Sequence, residues 1–133
     1  MKVLFICRAN VGRSQMAPAF FNTLSTKHHA IGAGTHVGDN EGLPLQELVI
    51  KCMAELGHDL SKKRRRQLTP EIAYEADRII VMNEKGDLPP YLSDSPKLIF
   101  WDVEDAKGTP YDFHVRIRDH IKGLVEELVR EIG

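Results

Sequence analysis

Four short apolar runs punctuate the chain: Val3–Ile6, His29–Ala33, Arg78–Met82 and Lys97–Trp101. Each is only four or five residues long, the length of a strand rather than of a helix. The residues between them follow the helical period instead. Ser14–Thr26 places Met16, Phe20, Phe21 and Leu24 on one face, with Pro18 read as part of the first turn. Leu43–Leu56 does the same with Leu45, Leu48, Val49, Cys52, Met53 and Leu56, and Gly57 ends it. Thr69 begins a short helix with Pro70 at its first position. Asp112–Ile132 is the longest pattern, turning Val115, Ile121, Leu124, Val125, Leu128 and Val129 inward.

Strands separated by helices predict βαβ units, right-handed crossovers and a mostly parallel sheet, an α/β fold. His36–Gly42 and Lys85–Pro96, the latter with Pro89, Pro90 and Pro96, read as surface loops. No internal repeat or low-complexity linker interrupts the pattern, and 133 residues suit one domain over 1–133. In an open parallel sheet, ligands gather beyond the carboxyl ends of the strands. Cys7 stands at such an end, and so does the loop after Trp101.

Composition narrows the function classes. Hydrophobic residues make up 42% and charged residues 28%, enough apolar material for a core without staples. A net charge of −1 gives no global field toward nucleic acid or an anionic membrane. No apolar stretch approaches the ~20 residues of a spanning helix. MKVLFIC is too short and wrongly followed for a signal peptide. The two cysteines, Cys7 and Cys52, make no disulfide framework. A reducing, cytoplasmic setting is the expectation, and a thiol nucleophile needs one.

The chemistry concentrates near the start. Cys7 follows the first apolar run, Arg13 follows Cys7 by six positions, and Ser14 is placed to cap a helix from Gln15. Strand, cysteine, tight loop, arginine and helix together predict an anion cup with a thiol at its floor. Loop amides point inward and the helix N-terminus adds partial positive charge. These same features favour a thiolate, the nucleophilic form of cysteine, and the Ser14 hydroxyl is in place to donate to the sulfur. Arg13 offers a planar fork for two phosphate oxygens. The substrate-binding loop is thus Arg8, Ala9, Asn10, Val11, Gly12, Arg13 and Ser14. Asn10 can tie the loop or adopt a left-handed conformation at low cost, and Gly12 permits positive φ before the arginine. No cofactor is implied. Nor is a metal: His28 and His29 diverge, and His36, His58, His114 and His120 are scattered without ligand spacing.

Thiolate attack on a phosphate ester leaves an alkoxide or phenoxide that needs a proton. The WDVEDAKGTP loop offers Asp102, Glu104 and Asp105 on the edge that carries Cys7, and the residues alone do not choose among them. Cys52, on the apolar face of a helix, reads as core. The run Lys62–Arg66 (KKRRR) reads as a solvated patch, with recruitment of an anionic substrate or partner as the functional alternative.

CRANVGRSQMAPAFF resembles the active-site segment of the low-molecular-weight protein tyrosine phosphatases, a family that includes a branch of arsenate reductases. The stretch Gly12–Ala17 leans toward the arsenate-reductase-like members. Gly32–Thr35 (GAGT), Ala76–Met82 (ADRIIVM) and Trp101–Asp105 (WDVED) resemble the family's later motifs in order. The resemblance implies a single-domain, flavodoxin-like three-layer αβα fold with a four-stranded parallel sheet. It implies Cys7 as nucleophile, Arg13 as phosphate binder and transition-state clamp, and Asp105 as general acid, with Asn10 and Ser14 supporting the loop and the thiolate. Its partners would be a phosphorylated protein or a small phosphate or arsenate oxyanion, with neither nucleic acid nor membrane involved.

The chain also departs from that pattern. Ala106 replaces the proline that normally follows the acid. Lys107 and Gly108 stand where aromatic residues often flank a phosphotyrosine ring, leaving Tyr111 as a partial substitute. Asn83 stands where a carboxylate commonly follows the strand, and Asn83–Tyr91 lacks the two cysteines of the thioredoxin-coupled reductases. Three readings follow: a phosphatase working through phosphocysteine, an arsenate reductase using an external thiol or a glutaredoxin-like partner, and a phospho-ligand binding module.

Overall fold

Covering both faces of a parallel sheet makes its central strand apolar at every position, and β1 (Lys2–Cys7) obeys this: Val3 through Ile6 are fully buried. The computed structural model describes residues 1–133. Successive side chains of β1 alternate between two cores. Val3 and Phe5 join Met16, Phe20, Phe21, Ile80, Ile121 and Val125 on one face. Leu4 and Ile6 join Ala33, Leu68, Ala73, Ile79, Val81 and Leu92 on the other.

After β1 come α1 (Arg13–Leu24), β2 (His29–Gly34), α2 (Glu47–Ala54), α3 (Pro70–Glu75), β3 (Arg78–Val81), α4 (Pro90–Ser93), β4 (Leu98–Phe100) and α5 (Tyr111–Ile132). The sheet order is β2-β1-β3-β4, all parallel, with Cys7 opposite Gly34 at the end of the β1–β2 register. This is the expected α/β architecture. It puts Cys7 at the carboxyl end of a central strand, where neighbouring crossovers diverge.

Several boundaries differ from the expected ones. Ser14 is not the cap of α1. The helix begins at Arg13 with Gly12 at its N-cap, and no side chain caps it. Pro18 is therefore the sixth residue of α1, not part of the first turn. Its ring leaves the Ser14 carbonyl without a helical N–H, and that carbonyl faces Gly32 instead: a Cβ there would lie 1.8 Å from Ser14 O. The second helix spans only Glu47–Ala54. Leu43–Gln46 stay out of it because Pro44 forms an antiparallel bridge with Arg64. Leu24, Leu43 and Leu56 are largely exposed, whereas the expected apolar stripe omitted His114, Ile117 and Arg118, all buried on α5. The expected loop Lys85–Pro96 holds a 3-10 turn at Lys85–Asp87 and the one-turn α4, which buries Leu92 completely. A second 3-10 turn, Gly38–Asn40, lies in the other loop.

Candidate active site

The loop from Arg8 to Gly12 closes around the end of β1. Asn10 takes φ = 56°, the left-handed conformation that asparagine tolerates best after glycine. Gly12, by contrast, has φ = −141°, so the positive φ expected there belongs to Asn10 alone within the loop. Asn10 is fully buried, and its amide is the loop's hub. Nδ2 donates to Ser14 Oγ at 2.6 Å. Oδ1 accepts from Gln15 Nε2 and from the Arg66 amide, each at 2.8 Å. Since Asn10 donates to the Ser14 oxygen, the hydroxyl proton is left for Cys7 Sγ, 2.9 Å away. A chain Asn10–Ser14–Cys7 therefore runs from a buried amide to the thiol.

The amides of this loop are unspent. The N–H groups of Arg8, Ala9, Asn10, Val11 and Gly12 donate to no protein acceptor. Buried or ring-forming amides are normally paired. A ring of free ones beside a helix N-terminus is a cradle for an anion. Two glycines let β2 pass beneath it. A Cβ on Gly34 would lie 2.8 Å from Arg8 O and 2.9 Å from Asn10 N. The strand end is fastened by Thr35 N to Cys7 O at 3.0 Å and His36 N to Arg8 O at 2.8 Å.

Arg13 spans two segments. Its Nη1 donates to Met82 O at the end of β3 and to Val103 O at 3.0 Å. Its Nη2 stands 3.8 Å from Asp105 Oδ2. Asp105 is half exposed, and its Oδ1 accepts from the Lys107 amide at 3.0 Å. The three carboxylates that sequence left open separate here. Asp105 shares a narrow cleft of about 40 Å³ with Cys7, Arg13, Val49, Ala106 and Lys107. Asp102 and Glu104 line only the wider cleft next to it, about 780 Å³, which Asp105 also borders.

Arg8 lies at that wider cleft and pairs with Asp87 at 2.9 Å, tying the loop to the segment after β3. Asn83 donates from Nδ2 to Thr35 Oγ1 at 3.2 Å. The aromatic residues at the wide cleft are Phe100 and Trp101. Tyr111, expected as the partial substitute, lines neither cleft. Its ring lies 4.3 Å from Lys51 Nζ, and burial of its hydroxyl, with Glu55 beside it, pushes its pKa up to about 12. That hydroxyl and the Arg118 guanidinium hold the Glu55 carboxyl below its ordinary range. Arg118 pairs with Glu55 at 3.0 Å and donates to Cys52 O at 2.9 Å, joining α2 to α5. Cys52 is fully buried and bonded to Val49 O, and burial raises its pKa. The expectation of a core cysteine stands.

Sequence reasoning held Gln15, Gly32 and Gly34 only as parts of resembling motifs and missed their roles, along with the backbone of Arg64–Arg66. Gln15 Nε2 also donates to Asn10 O at 3.2 Å and Arg64 O at 3.1 Å. The G-x-G at the end of β2 was the available signal for the close approach.

The family profile described as low molecular weight phosphotyrosine protein phosphatase matches residues 2–133. The "Glutaredoxin arsenate reductase" of Synechocystis sp. is 30% identical over 136 residues, covering 99% of this chain and 98% of that protein. The Ralstonia solanacearum protein named "Probable low molecular weight protein-tyrosine-phosphatase EpsP" is 35% identical over 80 residues, 60% of this chain and 54% of its own. Among solved structures, a low molecular weight protein tyrosine phosphatase from T. tengcongensis superposes with a TM-score of 0.86 at 28% identity, covering 98% of this chain and 99% of that one. An arsenate reductase described in its phosphate binding state gives 0.81 at 27%, covering 99% and 98%. The chain belongs to the low-molecular-weight phosphotyrosine protein phosphatase family, whose relatives here carry both phosphatase and arsenate reductase names. No helix of the chain is long and apolar enough to cross a membrane.

Proposed function

We propose that the protein is a cysteine-dependent phosphomonoesterase of the protein tyrosine phosphatase type. The observation that carries this reading is the unspent amide ring of Arg8–Gly12 around a thiol that Ser14 and Asn10 hold in place. In the proposed mechanism the three equatorial phosphoryl oxygens lie in that ring. Arg13 turns its Nε and Nη2 edge, whose Nη2 stands 3.8 Å from Asp105 Oδ2, to two of them, while Nη1 remains tied to Met82 and Val103. The charge on the transferring group is met by amides and a guanidinium, so the mechanism calls for no metal. Cys7 attacks phosphorus in line as thiolate, and the ester oxygen leaves with the P–O pair. Asp105 delivers its proton to that oxygen. The product at this stage is phosphocysteine. Asp105, now ionised, takes a proton from water as that water attacks phosphorus and expels the thiolate. The Ser14 hydroxyl donates to the departing sulfur.

Hydrolysis of para-nitrophenyl phosphate tests the reading. The wild-type protein is expected to turn over without added thiol and to yield acid-trappable phosphocysteine. Cys7→Ser should lower kcat on the order of 10⁴-fold or more, as loss of a covalent nucleophile does. Hydrolysis that survives in Cys7→Ser would sink it.

A second reading rests on the full-length relative named glutaredoxin arsenate reductase. There Cys7 would displace water from arsenate to form a thioarsenate. An external thiol would attack the Cys7 sulfur, giving a disulfide and releasing arsenite as As(V) takes up the two electrons. Cys52 is no candidate for that thiol, since it is fully buried and bonded to Val49 O. Thiol-dependent arsenite release in the absence of ester hydrolysis would select this reading over the first.

A further inference from the structure

The two edges of the sheet are finished differently. On the outer side of β2, the Asn22 side-chain amide accepts from the Ala30 N–H at 2.8 Å and donates to the Ala30 carbonyl at 2.9 Å. Further along, the Gly34 amide donates to Arg66 O and the Gly34 carbonyl accepts from the Leu68 amide. That edge is covered at both ends. β4 is the other edge, and it pairs with β3 alone. The Ile79 amide donates to Lys97 O and the Trp101 amide to Val81 O, so the backbone groups of Leu98 and Phe100 face away from β3. The Leu98 N–H turns back to Ser95 O at 3.4 Å. The Leu98 carbonyl and both backbone groups of Phe100 meet no protein partner. Ile99 and Phe100 are 40% and 38% exposed beside them. An open apolar edge is a template for another strand unless charge or proline blocks it, and neither lies within Leu98–Phe100.

This edge leads into the site. Val81 is level with Ile6 on one side and with Phe100 on the other, so Phe100 stops one residue short of the level of Cys7. Phe100 also borders the wide cleft that reaches Arg13 and Asp105. A strand added to β4 would lie three strand spacings, about 14 Å, from β1. About four residues of extended chain span that distance.

Charge identifies the occupant. Glu84, Asp102 and Glu104 border the cleft at one end of the edge, and Asp94 lies with Lys97 at the other. All four acids are exposed and without an ion-pair partner. The nearby cations are engaged: Lys97 Nζ donates to Tyr74 O at 3.0 Å, Lys85 stands over the Phe100 ring at 4.9 Å, and Arg8 pairs with Asp87 at 2.9 Å. A second copy would bring this acidic border against itself, whereas a basic segment complements it. We propose that the phosphorylated substrate is an extended polypeptide with basic flanking residues, added to β4 as a fifth strand that delivers the phosphoresidue along the wide cleft to Cys7. The proposal rests on the phosphatase reading and names the substrate class of that site. A small ester or an inorganic oxyanion cannot use the edge.

The first test leaves the protein untouched. A phosphotyrosine peptide with lysines among several flanking residues is compared with copies N-methylated at one backbone amide each. On one side of the phosphotyrosine, kcat/KM should fall about fivefold at alternate positions, roughly the worth of one net hydrogen bond, and hold at those between. Replacing the lysines by glutamates should lower kcat/KM by about tenfold at low ionic strength, the scale of electrostatic steering. That difference should collapse near 1 M salt, where the Debye length is about 3 Å. Phe100→Pro removes the outward N–H at an edge position, where proline is accommodated, and Phe100→Ala removes the ring alone. With each variant normalised to its own para-nitrophenyl phosphate turnover, the proline variant should lose more activity on the peptide. Methylation effects that are absent or lack the period of two overturn the proposal, and so do equal normalised losses in the two variants. Self-association that Phe100→Pro abolishes in light scattering, without a methylation pattern, also overturns it and gives the edge to a second copy. Failure of the phosphatase reading is seen separately, as absent ester hydrolysis in the wild type while the methylation pattern persists in fluorescence-anisotropy binding to Cys7→Ser.

Discussion

The two loops that meet at Cys7 are built on opposite terms. The loop after β1 is held by buried polar contacts: a fully buried Asn10 bonded to Ser14, Gln15 and the Arg66 amide, and two glycines that admit the backbone beneath. The loop after β4 carries Asp105 half exposed, with one backbone amide on Oδ1 and Arg13 at 3.8 Å. Its internal fastening is Thr109 to Ala106 O. Anion binding needs several donors fixed at once, so any local slack is costly. A general acid needs only one carboxyl to reach one oxygen and can tighten when substrate arrives. On the proposed mechanism, one loop is held fixed for the anion it would bind, and the other is left freer for the proton it would deliver.

Asp105→Asn is the largest test of that contrast. For an alkyl phosphate, whose leaving group needs the proton, kcat should fall by about 10²–10⁴-fold. Para-nitrophenyl phosphate, with a good leaving group, should lose far less. Stability should stay within about 0.5 kcal/mol, the ordinary range for an exposed position. Equal losses on both substrates would move the acid to Glu104 or Asp102. A large drop in urea midpoint would show that the loop depends on Asp105 structurally, and the contrast between the loops would fail.

Gly32→Ala probes the other loop from beneath. Its Cβ would sit 1.8 Å from a backbone carbonyl that Pro18 has already released from the helix, and neither strand nor helix can yield easily. The expected cost is about 3 kcal/mol, at the upper end for overpacking, read as a lower midpoint in urea with the slope unchanged. Because Ser14 moves with that carbonyl, kcat should fall as well. A stable variant with full activity would mean the loop is softer than its hydrogen bonds imply.

These two sites also mark how far the sequence could be read. An unbroken apolar run located β1, helical spacing located α1 and α5, and the match of strand end, Cys7 and Arg13 located the candidate anion loop, because these signals are local. The dependence on Gly32, Gly34, Gln15 and the Arg66 backbone is not local. It joins segments as far apart as Asn10 and Arg66, and each residue looks ordinary by itself. Ser14 shows the difference: serine before a helical run reads as a cap, yet its hydroxyl is directed to Cys7 once Asn10 occupies its oxygen. The one-turn α4 has too few residues for a period. Arg118 and His114 hid because a charged or titratable residue on an apolar stripe reads as solvent-facing. By the residues alone the acid was one of three; the resemblance pointed to Asp105, and the fold sets Asp105 beside Cys7 with Asp102 and Glu104 on the wider cleft only.

The smallest expected effect lies where the acid loop is anchored. Tyr111 opens α5 at the end of that loop, and its hydroxyl stands beside Glu55, which Arg118 also holds. Glu55 titrates below its ordinary value in the folded protein, so its contribution to stability is present above the unfolded value, near 4.5, and is lost as pH falls through the folded one. Tyr111 titrates above its ordinary value, at about 12 against 10, so its contribution is present below pH 10 and lost between 10 and 12. Tyr111→Phe removes the hydroxyl's share of the alkaline loss, leaving that of buried Cys52, and, by taking the hydroxyl from beside the Glu55 carboxylate, shrinks the acidic one. Urea midpoints measured from pH 3 to 12 should therefore trace a flatter curve in the variant, with both limbs changed by one hydroxyl. If only the alkaline limb flattens, Arg118 alone holds Glu55. If kcat on the alkyl ester drops while that on para-nitrophenyl phosphate does not, the anchor sets the reach of Asp105. The acid loop would then owe its function to a contact at its far end rather than to the site it serves.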